Sequence, residues 1–207
     1  MHVLIDSEFI KYSNLIEEIL PKKSFEKTFF VGTEITTSEI KSADAILCRS
    51  VTKLNQEFLK DSQISVIASA TSGTDHISDD LINSKNYQTF FSSGANAWSV
   101  VHYVMAVIET LIAKELFSSQ KSVGIIGHGN IGKRLGKTLS AFNIPWHAND
   151  PFLEDKNLVD LETIFNCDLI SIHTPFTKEG EHPTYQLINK NNIKSLANKI
   201  IINTSRG

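Results

Sequence analysis

Short apolar runs alternate with helical patterns along the first ninety-odd residues. The runs predict strands, and the stretches between them predict helices wherever apolar positions recur every three to four residues. The predicted strands are Val3–Ile5, Ala45–Cys48, Val66–Ala70 and Thr89–Phe91, and the predicted helices are Leu15–Leu20, Asn55–Lys60 and Ser78–Ser84. This alternation indicates βαβ units and a mainly parallel sheet.

A second series of the same kind begins near Asn96, so we predict a domain boundary at residues 94–97. Apolar positions from Val100 to Leu111 have the spacing of a long, buried helix. After a polar break, the pattern predicts strands Val123–Ile126, Trp146–Ala148, Leu169–Ile172 and Ile200–Ile202, with helices Ile131–Phe142 and Leu161–Asn166. The sequence therefore predicts two successive α/β units.

Composition excludes several classes of protein. Of 207 residues, 41% are hydrophobic, which is enough to build a core, and a net charge of −3 argues against a nucleic-acid or anionic-membrane surface. The apolar stretch Val100–Ala113 is shorter than the ~18 residues of a membrane span. The N-terminus does not have the pattern of a signal peptide, so we expect a cytoplasmic protein. Cys48 and Cys167 are too few and too far apart to predict disulfides or a metal site.

The sequence GHGNIG at positions 127–132 matches the dinucleotide-binding pattern G-x-G-x-x-G and stands between a predicted strand and a predicted helix. Each glycine has a physical task there: Gly127 permits a tight turn, Gly129 lets the backbone approach a pyrophosphate, and Gly132 lets helix and strand pack closely. Free N–H groups near Asn130 and Ile131 would hold the phosphate charge. The loop therefore predicts dinucleotide binding.

Asp150 follows the next predicted strand, 18 residues after Gly132. An acid at this place accepts hydrogen bonds from the adenosine ribose and repels a 2′-phosphate, so it favours NAD over NADP. The alternative is a purely local role, because Asn-Asp-Pro forms turns in any context. Lys133 and Arg134 either weaken the preference for NAD or are solvated charges of the helix.

The segment from Asn203 to Gly207 follows the last predicted strand. Open α/β sheets bind ligands at the carboxyl ends of their strands. Arg206 offers there a planar fork that matches a carboxylate and keeps its charge at all relevant pH values. We interpret Arg206 as a ligand-binding residue, and the alternative is a solvated turn.

Several motifs together resemble those of the D-2-hydroxyacid dehydrogenases, and they occur along the whole chain in the family's order. RSVTK at 49–53 with ATSGTDH at 70–76 points to the branch that acts on erythronate phosphate. The motifs are Arg49–Lys53, Ala70–His76, the GHGNIG loop, Asp150-Pro151, His173-Thr174-Pro175 and Asn203–Gly207.

This resemblance implies a flavodoxin-like substrate domain over residues 1–95. It also implies an incomplete Rossmann domain, a doubly wound parallel sheet that binds NAD, over residues 96–207. Hydride would pass between C2 of 4-phospho-D-erythronate and nicotinamide, giving a 2-oxo acid in vitamin B6 synthesis, and the enzyme would be a homodimer. The implied substrate-binding residues are Ser50 and Thr71. The cofactor-binding residues are Gly127, Gly129, Asn130, Ile131, Gly132, Asp150, Thr174, Thr204, Ser205 and Arg206, of which Arg206 is also the catalytic arginine.

One part of the family's machinery has no counterpart in the sequence. The family uses an acid–base histidine paired with a carboxylate, both beyond the arginine, and none of the seven histidines here occupies that position. His173 already belongs to another family motif, so we assign it no catalytic role. We therefore expect a chain truncated after Arg206 and inactive by itself. The alternatives are a dehydrogenase of another D-2-hydroxy acid, such as phosphoglycerate, or a non-catalytic NAD-binding remnant.

Overall fold

Each half of the chain has its own parallel sheet in the computed structural model, which describes residues 1–205. The two units are Met1–Ser93 and Gly94–Gly207. Both alternate strands with helices, as the spacing of apolar residues predicts. The domain limits at 95 and 96, and the roles assigned to the two domains, stay predictions.

The first unit contains a five-stranded sheet in the order β2-β1-β3-β4-β5, with all neighbouring strands parallel. This order is that of a flavodoxin-like sheet. Its elements are β1 (His2–Asp6), a 3₁₀ helix (Ser7–Tyr12), α1 (Ser13–Ile19), β2 (Glu26–Phe30), α2 (Thr37–Ser42), β3 (Ala45–Cys48), β4 (Val66–Ser69), α3 (Asp79–Ile82) and β5 (Gln88–Phe91).

One strand, one α-helix and the 3₁₀ helix of the first unit escape the sequence prediction, and one predicted helix is wrong. β2 is an edge strand with a polar first half, and α2 is a six-residue helix with one buried side chain, so neither has a strong apolar pattern. Residues Asn55–Lys60 form turns instead of a helix. The Asn55 side chain accepts the Phe58 N–H at 2.7 Å, and Leu59 N–H donates to Asn55 O at 3.1 Å, so the segment forms one capped turn that does not continue as a helix.

The second unit contains a four-stranded parallel sheet in the order β7-β6-β8-β9. Every strand predicted for this half is present, with ends that agree within one residue. Its elements are α4 (Ala97–Ala113), β6 (Val123–Ile126), α5 (Asn130–Ala141), β7 (Trp146–Asn149), α6 (Leu161–Asn166), β8 (Leu169–Ile172), a 3₁₀ helix (Ile193–Leu196) and β9 (Ile200–Asn203).

The core of the second unit lies between its sheet and the two long helices. Leu135 and Leu139 of α5 are fully buried, as the predicted helical stripe requires. They pack in one cluster with residues of α4 and of the four strands: Val101, Val104, Ile108, Val123, Ile125, Ala148, Leu169 and Ile202. This packing fixes α5 directly behind the carboxyl end of β6. Among the described residues, no helix is both long and apolar enough to cross a membrane.

Candidate functional site

The turn from β6 into α5 places the three glycines of the predicted loop in three different surroundings. Gly127 has φ +92°, and a Cβ there would come within 2.9 Å of the His173 carbonyl oxygen, so this position requires glycine. A Cβ on Gly132 would collide with the Gly127 carbonyl oxygen, so only glycine lets α5 start so close to the strand. Gly129 is different, because a Cβ there would meet no described atom within 4 Å. The loop is thus tightly packed at both ends and open in the middle.

The open middle of the loop coincides with the N-terminus of α5. The first intrahelical donor with a partner is Lys133, whose N–H donates to Gly129 O at 3.1 Å. Within residues 1–205, the N–H groups of Asn130 and Ile131 have no hydrogen-bond partner, as expected for the first turn of a helix. These donors, together with the positive end of the helix dipole, suit an anionic group such as a pyrophosphate.

Asp150 lies at the carboxyl end of β7, next to this loop. Its Oδ2 accepts the His128 N–H at 2.9 Å, and its Oδ1 accepts the Phe152 N–H at 3.2 Å. The local turn considered from the sequence is therefore present, and the same carboxylate also holds the glycine loop. Each oxygen keeps a lone pair for a further donor, so the residue still fits the hydroxyl groups of a ribose.

His128 stands inside the loop, between Gly127 and Gly129. Its ring stacks on Trp146, with centroids 5.9 Å apart and planes inclined by 19°. Burial, followed by the charge of Lys133, lowers the pKa of His128 below its ordinary value. The ring is therefore neutral at pH 7 and contributes packing, not charge, to the loop.

His173 at the end of β8 is fixed through both ring nitrogens. Thr204 Oγ1 donates to Ile172 O at 3.1 Å, so it accepts from His173 Nδ1 at 2.7 Å. His173 Nε2 then accepts from Ser171 Oγ at 3.0 Å. Burial lowers the pKa of His173 to about 4. The His173 ring is thus neutral at pH 7 and fixed by its two hydroxyl neighbours.

The predicted residues beyond β8 and β9 lie close to the glycine loop or to His173. Thr174 Cγ2 is 3.1 Å from the place that a Cβ on Gly127 would occupy. The hydroxyl groups of Thr204 and Ser205 both donate to Ile172 O. Their side chains are therefore engaged within the protein, and contacts to a cofactor would use their backbone. Arg206 lies outside the described residues, and its role stays a prediction.

Four parallel strands therefore bring the predicted cofactor residues to one edge of the second sheet. The order of the strands reverses around β6, which lies between β7 and β8. Ligands of open α/β sheets bind in the crevice outside such a reversal. Gly127 and Thr174 follow β6 and β8, the two strands at this crevice, and Asp150 follows β7, the neighbour of β6 on its other side.

The first sheet has an equivalent reversal around β1, and its crevice contains an acid that the sequence analysis missed. Asp6, at the end of β1, is fully buried; its Oδ1 accepts the Glu8 N–H at 3.0 Å and lies 3.0 Å from Arg49 Nε. Arg49 is therefore paired and held in place, and is not a solvated charge. An acid directly after the apolar run Val3–Ile5 was the available signal.

Ser50 and Thr71, the predicted substrate-binding residues, follow the neighbouring strands β3 and β4. Ser50 is half-buried and directly follows Arg49 in the sequence. Thr71 Oγ1 lies 2.9 Å from Ser69 Oγ, which in turn lies 2.8 Å from His76 Nε2. The edge of the first sheet thus presents hydroxyl groups and one arginine.

Reactive thiols and metal sites are two further kinds of chemistry to consider. Burial raises the pKa of the Cys48 thiol to about 11, which leaves it protonated and unreactive. Among residues 1–205, no three His, Cys, Asp or Glu side chains are grouped so that they could hold a metal ion.

Comparison with known proteins identifies relatives of the chain. Residues 109–207 match the family model described as D-isomer specific 2-hydroxyacid dehydrogenase, NAD binding domain. An erythronate-4-phosphate dehydrogenase of Ruthia magnifica subsp. Calyptogena magnifica is 36% identical over all of this chain and 60% of its own length. Another, of Shewanella halifaxensis, is 40% identical over 85% of this chain and 49% of its own length. The chain spans about half to three fifths of the length of these relatives.

Solved structures show the same fold. The NAD⁺-bound 3-phosphoglycerate dehydrogenase of Entamoeba histolytica matches the whole chain with a TM-score of 0.80 at 26% identity, over 72% of its own length. A D-lactate dehydrogenase of Aquifex aeolicus, complexed with NAD and lactic acid, matches with a TM-score of 0.78 at 23% identity, over 69% of its length. These likenesses confirm the α/β fold class with a Rossmann domain.

The family model and the relatives agree with the motifs read from the sequence. Residues 109–207 are therefore similar to the NAD-binding domains of the D-isomer specific 2-hydroxyacid dehydrogenases, and the chain is similar along its length to erythronate-4-phosphate dehydrogenases, which confirms both the resemblance and the cofactor, NAD, that its motifs indicate.

Proposed function

We propose that this chain carries the NAD-binding and substrate-binding residues of an erythronate-4-phosphate dehydrogenase. The reaction oxidises the C2 hydroxyl group of 4-phospho-D-erythronate to an oxo group, with NAD as the hydride acceptor, in the synthesis of pyridoxal phosphate. The observation that carries the proposal is the open glycine loop beside Asp150, in a chain that is 36% identical to a relative of this name. We further propose a cytoplasmic homodimer.

The second unit would hold the cofactor through three groups of residues. The N–H groups of Asn130 and Ile131, which have no partner within residues 1–205, follow the open position Gly129 and would bind the pyrophosphate. The free lone pairs of Asp150 would accept the ribose hydroxyl groups. Thr174, Thr204, Ser205 and Arg206 would line the remaining side of the crevice.

The first unit would hold the substrate at the carboxyl edge of its sheet. Ser50 and Thr71 would supply hydroxyl groups for a phosphorylated polyol. The catalytic role of Arg206, which is to pair with a carboxylate, stays a prediction from the sequence. No histidine in these 207 residues stands at the family's acid–base position. The proposal therefore includes that the chain alone does not catalyse hydride transfer.

A second substrate is supported by one observation, the 26% identity to a 3-phosphoglycerate dehydrogenase. 3-Phosphoglycerate and 4-phosphoerythronate share a carboxylate, a 2-hydroxyl group and a terminal phosphate, and differ by one CHOH unit. The length of the binding site therefore decides which of the two substrates fits.

Calorimetric titration of the NAD-loaded chain with 4-phospho-D-erythronate, 3-phosphoglycerate and D-lactate tests the substrate. We expect 4-phospho-D-erythronate to bind about tenfold tighter than either of the others, since a site of matched length places both charged ends. Tighter binding of phosphoglycerate would transfer the proposal to that substrate. Binding of NAD with no binding of any hydroxy acid would support a non-catalytic NAD-binding module.

A further inference from the structure

Asn130, the first residue of α5, is held by the side chain of Arg134, one turn later in the helix. Arg134 Nη1 donates to the Asn130 carbonyl oxygen at 2.6 Å and to Asn130 Oδ1 at 3.3 Å. The guanidinium carbon lies 5.9 Å from the centroid of the Trp98 ring, on its face. Arg134 is therefore bound on two sides, and is not the solvated helix charge that the sequence suggests.

Asn130 is also confined from the opposite side, at the segment that opens the second unit. Gly94 has φ +78°, and a Cβ there would come within 2.7 Å of both Cγ and Nδ2 of Asn130. The amide group thus lies between the glycine backbone and the guanidinium group of Arg134. Its side chain is engaged within the protein, which leaves the backbone N–H as the group of Asn130 that faces a ligand.

Holding Asn130 in this way fixes the direction of the free donors of the helix. Asn130 and Ile131 are its first two residues, and within residues 1–205 their N–H groups have no hydrogen-bond partner. The first turn of a helix frays most easily, because its donors have no intrahelical partners. A bond from Arg134 to the Asn130 carbonyl oxygen opposes that fraying at the place where the phosphate charge would bind.

We propose that Arg134 is a positioning residue for the pyrophosphate of the dinucleotide, acting through Asn130 and supported by the ring of Trp98. This inference rests on the proposed binding of NAD. The proposed effect depends on the shape of the guanidinium group, so a positive charge alone at position 134 would not hold Asn130 in place. Lysine keeps that charge but has neither the planar fork nor the ability to stack flat on the indole ring.

Titration of the chain and its Arg134→Gln and Arg134→Lys variants with NAD, ADP and adenosine tests the proposal. We expect both variants to bind NAD and ADP about five- to tenfold more weakly, the equivalent of one hydrogen-bonded contact, and to bind adenosine unchanged. The difference should persist in 0.5 M NaCl, where the Debye length is only about 4 Å and charge effects are screened. Trp98→Leu should produce a smaller loss in the same direction.

Lys133→Gln is the matched control, because it removes the same charge from the same turn of α5. It should change the affinity for NAD less than twofold, and all variants should unfold at the temperature of the parent chain. In ¹H–¹⁵N spectra without ligand, the Asn130 and Ile131 amide signals should shift in both Arg134 variants and stay in place in Lys133→Gln.

Three results would overturn the inference. Arg134→Lys with full affinity for NAD would show that only charge matters. Equal losses in Lys133→Gln would show the same. Unchanged affinity in every variant would show that Asn130 needs no support, while NAD binding by the parent chain would leave the proposed function intact.

Discussion

Asp150 has an observed structural role and a proposed ligand-binding role, and the two can be separated. One oxygen supports the turn at Phe152 and the other holds the glycine loop through His128. A ribose would take the lone pairs that remain. The preference for NAD over NADP depends on the charge, whereas the loop geometry depends on the acceptor oxygens.

Asp150→Asn therefore isolates the charge, because it keeps one acceptor oxygen, and Asp150→Ala removes both functions. We expect Asp150→Asn to weaken NAD binding about tenfold and to bring the affinities for NAD and NADP closer together, since a charge-assisted hydrogen bond contributes ~1.5–3 kcal/mol. Asp150→Ala should lose more. Calorimetric titration with both cofactors measures this, and an unchanged preference for NAD in both variants would remove Asp150 from the site.

His173 predicts a pH dependence of stability. Its pKa is about 4 in the folded state and about 6.5 in an unfolded chain, so the unfolded state binds more protons between these values. The folded state is therefore favoured above pH 6.5, and this contribution is lost as the pH falls to about 4. Its size is at most of the order of 3 kcal/mol.

Chemical unfolding of the chain and of His173→Gln between pH 7 and pH 4 checks this dependence. Glutamine does not titrate, so the free energy of unfolding of the variant should fall less steeply than that of the parent chain. Carboxylates contribute equally to both proteins and cancel in the comparison. Parallel curves would mean that His173 titrates normally in the folded state.

Among the elements, the turn from β6 into α5 includes two glycines, three residues apart, whose surroundings are opposite. Gly132 lies where any side chain meets the backbone of Gly127, and Gly129 lies in open space. Gly132 therefore serves packing, and we propose that Gly129 serves ligand access.

Gly132→Ala should lower the free energy of unfolding by about 1–3 kcal/mol, the usual cost of overpacking. Gly129→Ala should leave it within about 0.5 kcal/mol of the parent value. The same methyl group should weaken NAD binding by about tenfold or more, because it occupies space that the pyrophosphate needs. Thermal unfolding and calorimetry on both variants test the pair, and the reverse pattern would contradict these roles.

The sequence predicted the second unit better than the first for physical reasons. Its strands are short and mostly apolar, and every residue of β6 and β8 is buried. In the first unit, β2 lies at an edge and α2 depends on a capping box between Thr36 and Glu39, so neither shows an apolar pattern. The glycine loop and Asp150 follow local rules and could be predicted. The pairing of Asp6 with Arg49, and of Arg134 with Asn130 and Trp98, depends on tertiary contacts.

At the scale of the whole molecule, each unit has a crevice where the order of its strands reverses. The crevice of the first sheet presents Arg49, Ser50 and Thr71, and that of the second presents the glycine loop and Asp150. Two ligands of different chemistry should therefore protect different halves of the chain.

Hydrogen exchange monitored by mass spectrometry checks this division. NAD should slow exchange in peptides that contain residues 127–132 and 150, and 4-phospho-D-erythronate should slow exchange in those that contain residues 50 and 71. Protection arises because the bound ligand engages or excludes water from these amides. Protection of the first unit alone by NAD would contradict the assignment of the two crevices.

The open glycine loop and Asp150 together form the proposed site for NAD. Calorimetric titration of the unmodified chain with NAD and NADP under the same conditions tests it most directly. We predict saturable binding of NAD with one site per chain, at least about tenfold tighter than NADP, because the Asp150 carboxylate repels a 2′-phosphate. Absence of NAD binding, or equal affinity for the two cofactors, would contradict the assignment of the glycine loop and Asp150 to an NAD site.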